Sequence, residues 1–278
     1  MSVIFVYMNS YPKWATVEKA VGETPLVAVE RLRESLRIPA GVSMAYAGRL
    51  DPMASGKLLA LIGDECKKQE EYHSFDKEYQ VEILLGARSD TGDVLGLIES
   101  CFLPPLGKMD ISKTVSRLRG HIALPYPHFS SKTIRGKPLH VWALEKRLHE
   151  IEIPTQHSIV HRVTLSGVRM VSREEILGTV RAKIETIPKV TEESKALGAD
   201  FRRDEVRASW DQFSRVAPTT LPLISVTMIA SSGTYMRSLA EYVGAQLGTG
   251  GLAYSIHRTK IGRYFPLGAK IGLWTKRF

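Results

Sequence analysis

Residues 48–57 read Gly-Arg-Leu-Asp-Pro-Met-Ala-Ser-Gly-Lys, and an Asp-Pro step held between two glycines restricts this chain more than any other stretch. Pro52 fixes its own φ and pushes Asp51 toward extended backbone. Gly48 and Gly56 carry no Cβ, so another backbone or a ligand can come close there. An apolar run, Leu58 to Ile62, follows and is closed by Gly63. Two local structures satisfy these constraints. One is a loop that holds the Asp51 carboxylate at the floor of a cleft. The other is a surface turn, since Asp-Pro is common in turns.

Hydrophobic periodicity places the surrounding elements. Val3 to Met8 is a short apolar run bounded by Asn9-Ser10 and Pro12, which predicts a strand. Pro25 opens a predicted helix with Val29, Leu32 and Leu36 on one face. Tyr79, Val81, Ile83 and Leu85 alternate with Gln80 and Glu82, a strand pattern with Tyr79 on the apolar side. Asp110 is placed to cap a helix carrying Ile111, Val115 and Leu118 that stops at Gly120. Val160 to Met170 reads as a strand, and Ile224, Val226, Met228 and Ala230 alternate on the next. Ser231-Ser232-Gly233 then turns the chain into a helix carrying Met236, Leu239, Ala240, Val243 and Leu247, with Gly248 as its stop. Arg237 falls in the first turn of that helix. It either points into a cleft beside the sheet or forms a surface ion pair with Glu241 at i,i+4.

Composition narrows the function classes. With 278 residues, 44% of them hydrophobic, the chain can build one large domain or two small ones. A net charge of +9 indicates a polyanionic partner, nucleic acid first, against a generic basic protein. Cys66 and Cys101 form no Cys-x-x-Cys pair, so neither a disulfide framework nor a structural zinc site is indicated. The eight histidines show no ligand spacing, so no metal and no cofactor are expected. No apolar run approaches the roughly 20 residues of a membrane span, and Met1 to Met8 lacks a basic leader, so a cytoplasmic protein is expected. Gly-Lys at 56–57 has the wrong spacing for a P-loop, and Gly248-Thr249-Gly250-Gly251 follows a helix, unlike a dinucleotide site. Asp90 and Asp93 raise the alternative of a glycosidase pair, but Asp-Thr-Gly-Asp reads better as a turn.

The Asp51 loop, Gly-x-Leu-Asp-Pro-x-Ala-x-Gly before an apolar run, resembles the catalytic loop of the bacterial tRNA pseudouridine-55 synthase (TruB) family. Three further segments are similar to the same family in the same order. They are Lys77-Glu78-Tyr79-Gln80-Val81 with Ser89-Asp90-Thr91-Gly92-Asp93, then Pro127-His128-Phe129-Ser130-Ser131, then Ser232-Gly233-Thr234-Tyr235-Met236-Arg237 with His257-Arg258-Thr259. Each motif alone is weak, whereas four in order are specific. The resemblance implies an α+β pseudouridine synthase fold: a mixed, mostly antiparallel central sheet flanked by helices, with a catalytic cleft across it. It implies isomerisation of uridine to pseudouridine in the T-loop of tRNA, normally at position 55, by a monomer that needs no obligate protein partner, DNA or membrane. A synthase acting on another RNA and a non-catalytic tRNA-folding chaperone are the alternatives.

By the same resemblance Asp51 is the reacting carboxylate, as a nucleophile at C1′ or as a base that leads to a glycal. Arg237 matches the arginine that pairs with it, and two parallel hydrogen bonds are the expected geometry. Tyr79 matches the tyrosine that stacks on the target base and is implicated in removing its C5 proton. Gly48 and Arg49 flank Asp51 on the substrate side. Lys67 matches a pocket lysine, and Ile256 an aliphatic residue against the flipped base. Phe129 stands where the family usually has tyrosine, and Tyr46 where it usually has a histidine. The amino-terminal Lys-Pro-x-Gly pattern is matched only in degraded form, by Tyr11-Pro12-Lys13-Trp14.

Two departures remain. Residues 172–218 exceed the short link usual in the family. Ser172-x-x-Glu175 is a capping-box pattern and Ile176, Val180 and Ile184 form a helical face, which predicts a helical insertion in a catalytic domain spanning 1–278. Arg202, Arg203, Arg207 and Arg215 surround Trp210 and Phe213 there, as an RNA-contacting arm or as a solvated decoration. Beyond Tyr264 only a basic tail follows, so no RNA-binding PUA domain is expected.

Overall fold

The computed structural model describes residues 11–189, 202–268 and 271–278, so the strand expected at Val3–Met8 lies outside the described residues. Along the chain run β1 (Trp14–Lys19), α1 (Pro25–Ser35), β2 (Met44–Ala47), β3 (Ala54–Ile62), α2 (Gln69–His73) and β4 (Asp76–Leu85). Then come the short pair β5 (Ala87–Ser89) and β6 (Ile98–Ser100), α3 (Lys108–Ser116), β7 (Gly120–Pro125), the short pair β8 (Thr133–Ile134) and β9 (Lys137–Pro138), and α4 (Leu139–Leu144). The remainder is β10 (Thr155–Ser172), α5 (Arg173–Thr186), α6 (Arg203–Val216), β11 (Thr220–Ala230), α7 (Met236–Gln246), β12 (Gly251–Pro266) and β13 (Gly272–Thr275).

One large sheet runs in the order β1-β3-β12-β4-β11-β10-β7, with β2 on β3 and β13 on β12. Its pairings are antiparallel except for β12 on β3, which run parallel over Ile256↔Ala54, His257↔Ser55 and Arg258↔Gly56. The fold is therefore α+β with a mixed, mostly antiparallel sheet and flanking helices. The parallel contact explains Gly56. Its φ is +107°, and a Cβ there would lie 2.3 Å from the Arg258 carbonyl oxygen. Only glycine fits this close approach, which locks the end of the Asp51 loop to β12.

Most predicted elements form for the reasons read from the pattern. Thr24 caps α1, its hydroxyl accepting from Val27 N at 3.2 Å, and Ala28, Val29 and Leu32 are buried. Leu36 is 41% exposed just past the helix end. On β4, Tyr79, Val81 and Ile83 face the core. In α3 the cap is Gly107, not Asp110, which sits inside the first turn where its charge favours the helix N-terminus.

Of the residues read as an insertion, 190–201 lie outside the described residues, and α5 and α6 pack into the core. Ser172 caps α5, and Ile176, Val180 and Ile184 of α5 join Val206, Trp210 and Phe213 of α6 in the main hydrophobic core. Trp210 is 1% exposed and its indole N–H donates to Val94 O at 3.1 Å. Trp210 and Phe213 thus have no face to offer RNA bases. A helix with two buried aromatics is neither a projecting arm nor a solvated decoration. The amphipathic spacing that puts arginines outside puts these rings inside.

The basic tail also folds back on the sheet. Phe278 stacks on Phe75 with centroids 5.7 Å apart and meets Trp14 edge-on at 4.6 Å. Among the described residues no helix is long and apolar enough to cross a membrane.

Candidate active site

The sheet register sets the site. Across β12, Arg258 lies beside Gly56 of β3 on one side and Tyr79 of β4 on the other. Tyr79 is in turn beside Met228 of β11, and the chain leaves β11 through 231–235 into α7. The Asp51 loop, the Tyr79 strand and the Arg237 helix therefore converge on one end of neighbouring strands. Around them opens a cavity of about 850 Å³.

Asp51, Tyr79 and Arg237 all line this cavity. So do Tyr46, Gly48, Arg49, Phe129 and Ile256. Ile256 is also 4% exposed and part of the core, so packing and lining coincide in it. Lys67 does not line the cavity, and this corrects its expected role. Residues 63–68 form a short 3₁₀ turn after β3 in which Lys67 pairs with Asp64 at 2.7 Å, its side chain 81% exposed. Distance in sequence from the apolar run was a poor guide once that turn intervened.

Arg237 is 5% exposed and its Nε donates to Asp51 Oδ2 at 2.8 Å. The surface pair with Glu241 is absent among the described residues. The expected two-bond fork does not form either, because the other donors are committed. Nη1 donates to Thr91 O at 2.9 Å, and both Nη atoms reach Phe129 O at 3.4 and 3.3 Å. One side chain thus ties together the Asp51 loop, the 89–93 turn and the Phe129 loop.

Asp93 adds a second carboxylate, 3.7 Å from Arg237 Nε. It is held by the Thr91 hydroxyl and Leu95 N–H, each at 2.9 Å. Burial pushes its carboxyl above the usual range although Arg237 pulls the other way. Burial alone would lower the Arg237 guanidinium, but Asp51 and Asp93 together raise it. Burial also pushes Glu241, one turn along α7, up to about 7. The Arg237 guanidinium is therefore the cation that lies directly against these acids.

Three cations to which the sequence reading assigned no role lie beneath the loop. Lys19 donates to Ala54 O at 2.6 Å and Ala20 O at 2.9 Å. Arg258 donates to the carbonyls of Lys57, Arg49 and Gly48 at 2.6, 3.2 and 3.3 Å. Lys77 donates to Phe75 O, His73 O and Ser232 Oγ. All three are 4% exposed or less. Burial brings Lys19 down to about 8 and Lys77 down to about 7. A signal existed for Lys19: Lys19-Ala20-Val21-Gly22 carries the Lys-Pro-x-Gly spacing with alanine for proline, and it, not residues 11–14, abuts the Asp51 loop. Gly22 N donates to Pro52 O at 2.8 Å. Among the described residues no cluster of His, Cys, Asp and Glu is placed to hold a metal ion.

Residues 37–186 match the family model described as TruB family pseudouridylate synthase, N terminal domain. The tRNA pseudouridine synthase B of Marinomonas sp. (strain MWYL1) is 25% identical over 261 residues, covering 91% of this chain and 67% of that protein. The protein of the same name from Caldicellulosiruptor saccharolyticus is 30% identical over 149 residues, covering 54% of this chain and 50% of that protein. This chain thus spans between half and two thirds of the length of these relatives. A chain of a solved Cbf5-Nop10-Gar1 complex aligns with a TM-score of 0.49 at 14% identity, over 89% of this chain and 48% of that one.

Proposed function

The chain belongs to the TruB family of pseudouridylate synthases, and from that premise we propose that it isomerises uridine to pseudouridine in tRNA, in the T-loop and normally at position 55. The observation that carries this reading is the contact of Arg237 Nε with Asp51 Oδ2 at 2.8 Å, in a cavity that Tyr79 also lines. A carboxylate, a permanently charged partner and a flat phenol are the groups this isomerisation needs.

The chemistry follows from those groups. Asp51 acts through its carboxylate, which Arg237 Nε holds by a hydrogen bond to Oδ2 at 2.8 Å. In one route a carboxylate oxygen bonds to C1′ as the N1–C1′ pair leaves onto the uracil. In the other the carboxylate takes a proton from the sugar, giving a glycal. In both, the freed base turns and C5 bonds to C1′: the first route breaks the C1′–O bond and returns its electron pair to Asp51, and the second returns the proton from Asp51 to C2′. The C5 proton then departs and N1 gains one, so the sum is an isomerisation. Tyr79 offers a face for stacking and an oxygen at the edge of the base for that last step. No redox partner or external energy enters.

Phe129 and Tyr46 keep aromatic surface where the family has tyrosine and histidine, which suits an extruded RNA loop. The net charge of +9 suits a polyanion. We read the enzyme as a monomer acting on the T-arm in the cytoplasm, as one catalytic domain in which α5 and α6 are built into the core. Mapping pseudouridine in total tRNA from cells with and without the gene tests the proposal. Loss of one T-loop pseudouridine on deletion is the expected result, and an unchanged map would overturn it.

A further inference from the structure

Of the four arginines in the 202–215 stretch, two, Arg202 and Arg203, line the cavity. Arg203 turns inward and donates to Ile184 O and Ile187 O at 2.6 and 2.7 Å. Arg207 pairs with Glu185 and Asp204 on the outside. Arg215 does not line the cavity. Arg202 differs from Arg203 in that its guanidinium is turned to Phe129 and Asp90, not to backbone carbonyls. It lines the same cavity as Asp51 and Arg237, although more than 140 residues separate it from the Asp51 loop.

The way Arg202 is held argues for a purpose beyond folding. It is the N-cap of α6 with φ 55° and ψ 31°, a left-handed conformation, and its side chain makes no capping bond. For a non-glycine residue that costs about 1–2 kcal/mol, and such strain gathers at ligand sites. Its guanidinium lies over the Phe129 ring, 4.5 Å from the centroid. Nη1 donates to Asp90 Oδ2 at 2.5 Å, and Asp90 is itself fixed, its Oδ1 accepting from Leu97 N at 2.8 Å. Nε and Nη2 donate to no other described residue. A guanidinium oriented by a ring and a carboxylate, in the cavity that Asp51 also lines and with two donors that no described residue takes, has already lost the side-chain freedom that ligand binding would cost.

We propose that Arg202 is a substrate-binding residue that donates to an acceptor oxygen of the RNA strand flanking the target uridine, and that α5 and α6 bring it to the cavity. The inference rests on the pseudouridine synthase reading and deepens it. The oxygen belongs either to a phosphate or to a base carbonyl, and the two are separable. A phosphate contact contributes to the salt dependence of binding, roughly 0.7–0.9 in the log–log slope. A base contact leaves the slope alone and appears as a preference at one flanking position.

The test uses the full chain, a tRNA transcript and two variants, Arg202→Gln and Arg202→Lys, with thermal melting measured beside each. Lysine keeps a charge for Asp90, so it holds the fold if glutamine does not. The expected result is a KM and an RNA dissociation constant raised about tenfold in the glutamine variant and less in the lysine variant, with kcat changed much less than KM. A reduced salt slope assigns the phosphate, and a lost preference at a flanking base assigns the carbonyl. KM and RNA affinity within twofold of wild type in both variants would overturn the inference, as would a fall confined to kcat. RNA affinity is read without turnover. Failure of the wild-type enzyme to make pseudouridine would therefore count against the functional reading, not against the assignment of Arg202.

Discussion

Arg237 gives Asp51 a single hydrogen bond, from Nε to Oδ2 at 2.8 Å, and spends its remaining reach on the carbonyls of Thr91 and Phe129. The arginine therefore serves as a joint between three loops as much as a counter-ion. The Asp51 side chain keeps 36% of its surface exposed, toward the space where a nucleotide would enter.

Arg237→Lys should show both roles. An ammonium can keep the charge beside Asp51 but cannot also reach both carbonyls. Activity should fall roughly a hundredfold. Stability should fall by about 1–3 kcal/mol as buried carbonyls lose their donors. Kinetics and chemical denaturation on one preparation check the two effects, and a variant that loses activity at full stability would remove the joint from the account.

Asp51→Asn keeps the shape and discards the anion. Pseudouridine formation should drop by roughly a thousandfold or more. RNA affinity should stay within a few-fold, because the rest of the cavity is unchanged. Measurable turnover by the purified variant would sink the assignment of Asp51.

Gly56→Ala puts a methyl group 2.3 Å from the Arg258 carbonyl oxygen at a φ of +107°. The strands β3 and β12 must separate, at a cost on the order of 3 kcal/mol. Gly41→Ala is the control, since nothing lies within 4 Å of its added carbon. Denaturation midpoints should separate the two variants clearly.

Lys77 gives a pH prediction with a definite sign. Its ammonium is brought down to about 7 in the fold by burial, with the charge of Arg258 acting in the same direction. Between about 7 and its ordinary value of 10.5 the unfolded chain binds the extra proton. Stability contributed by this group therefore rises with pH across that window, and is lost as pH falls through about 7. Measured against Lys77→Met, wild-type stability should gain with increasing pH by up to about 1.4 kcal/mol per unit. A difference that stays flat from pH 7 to 10 would show the ammonium to be charged throughout.

How far the sequence carries the structure depends on the kind of signal. Tyr79 was readable because alternation along one strand says which side is buried. Arg237 was readable as a residue of a first helical turn, but not as a single-bond partner, since the competing carbonyls of Thr91 and Phe129 lie more than 100 residues away. Asp93 passed for a turn residue because a turn is what it occupies; only the approach of Arg237 from α7 makes it part of the site. Lys19 and Lys77 look like ordinary surface lysines in a charged sequence, and their burial follows from strand order, which no local pattern encodes. Trp210 and Phe213 were misread because the arginines around them drew attention to the wrong face of α6.

β12 is the last long strand of the chain, yet it lies between β3 and β4, which are among the first. During synthesis the early strands must wait, with two pairing edges open, until residues 251–266 have left the ribosome and slid between them. The Asp51 loop is fastened by Arg258 of that late strand. Until then a nascent chain holds Asp51 and the helix-borne Arg237 but lacks the frame that aligns them. The frame of the Asp51 loop thus closes only once residues 251–266 are made, in a slow, long-range step, and the open edges beforehand are where aggregation of this protein would begin.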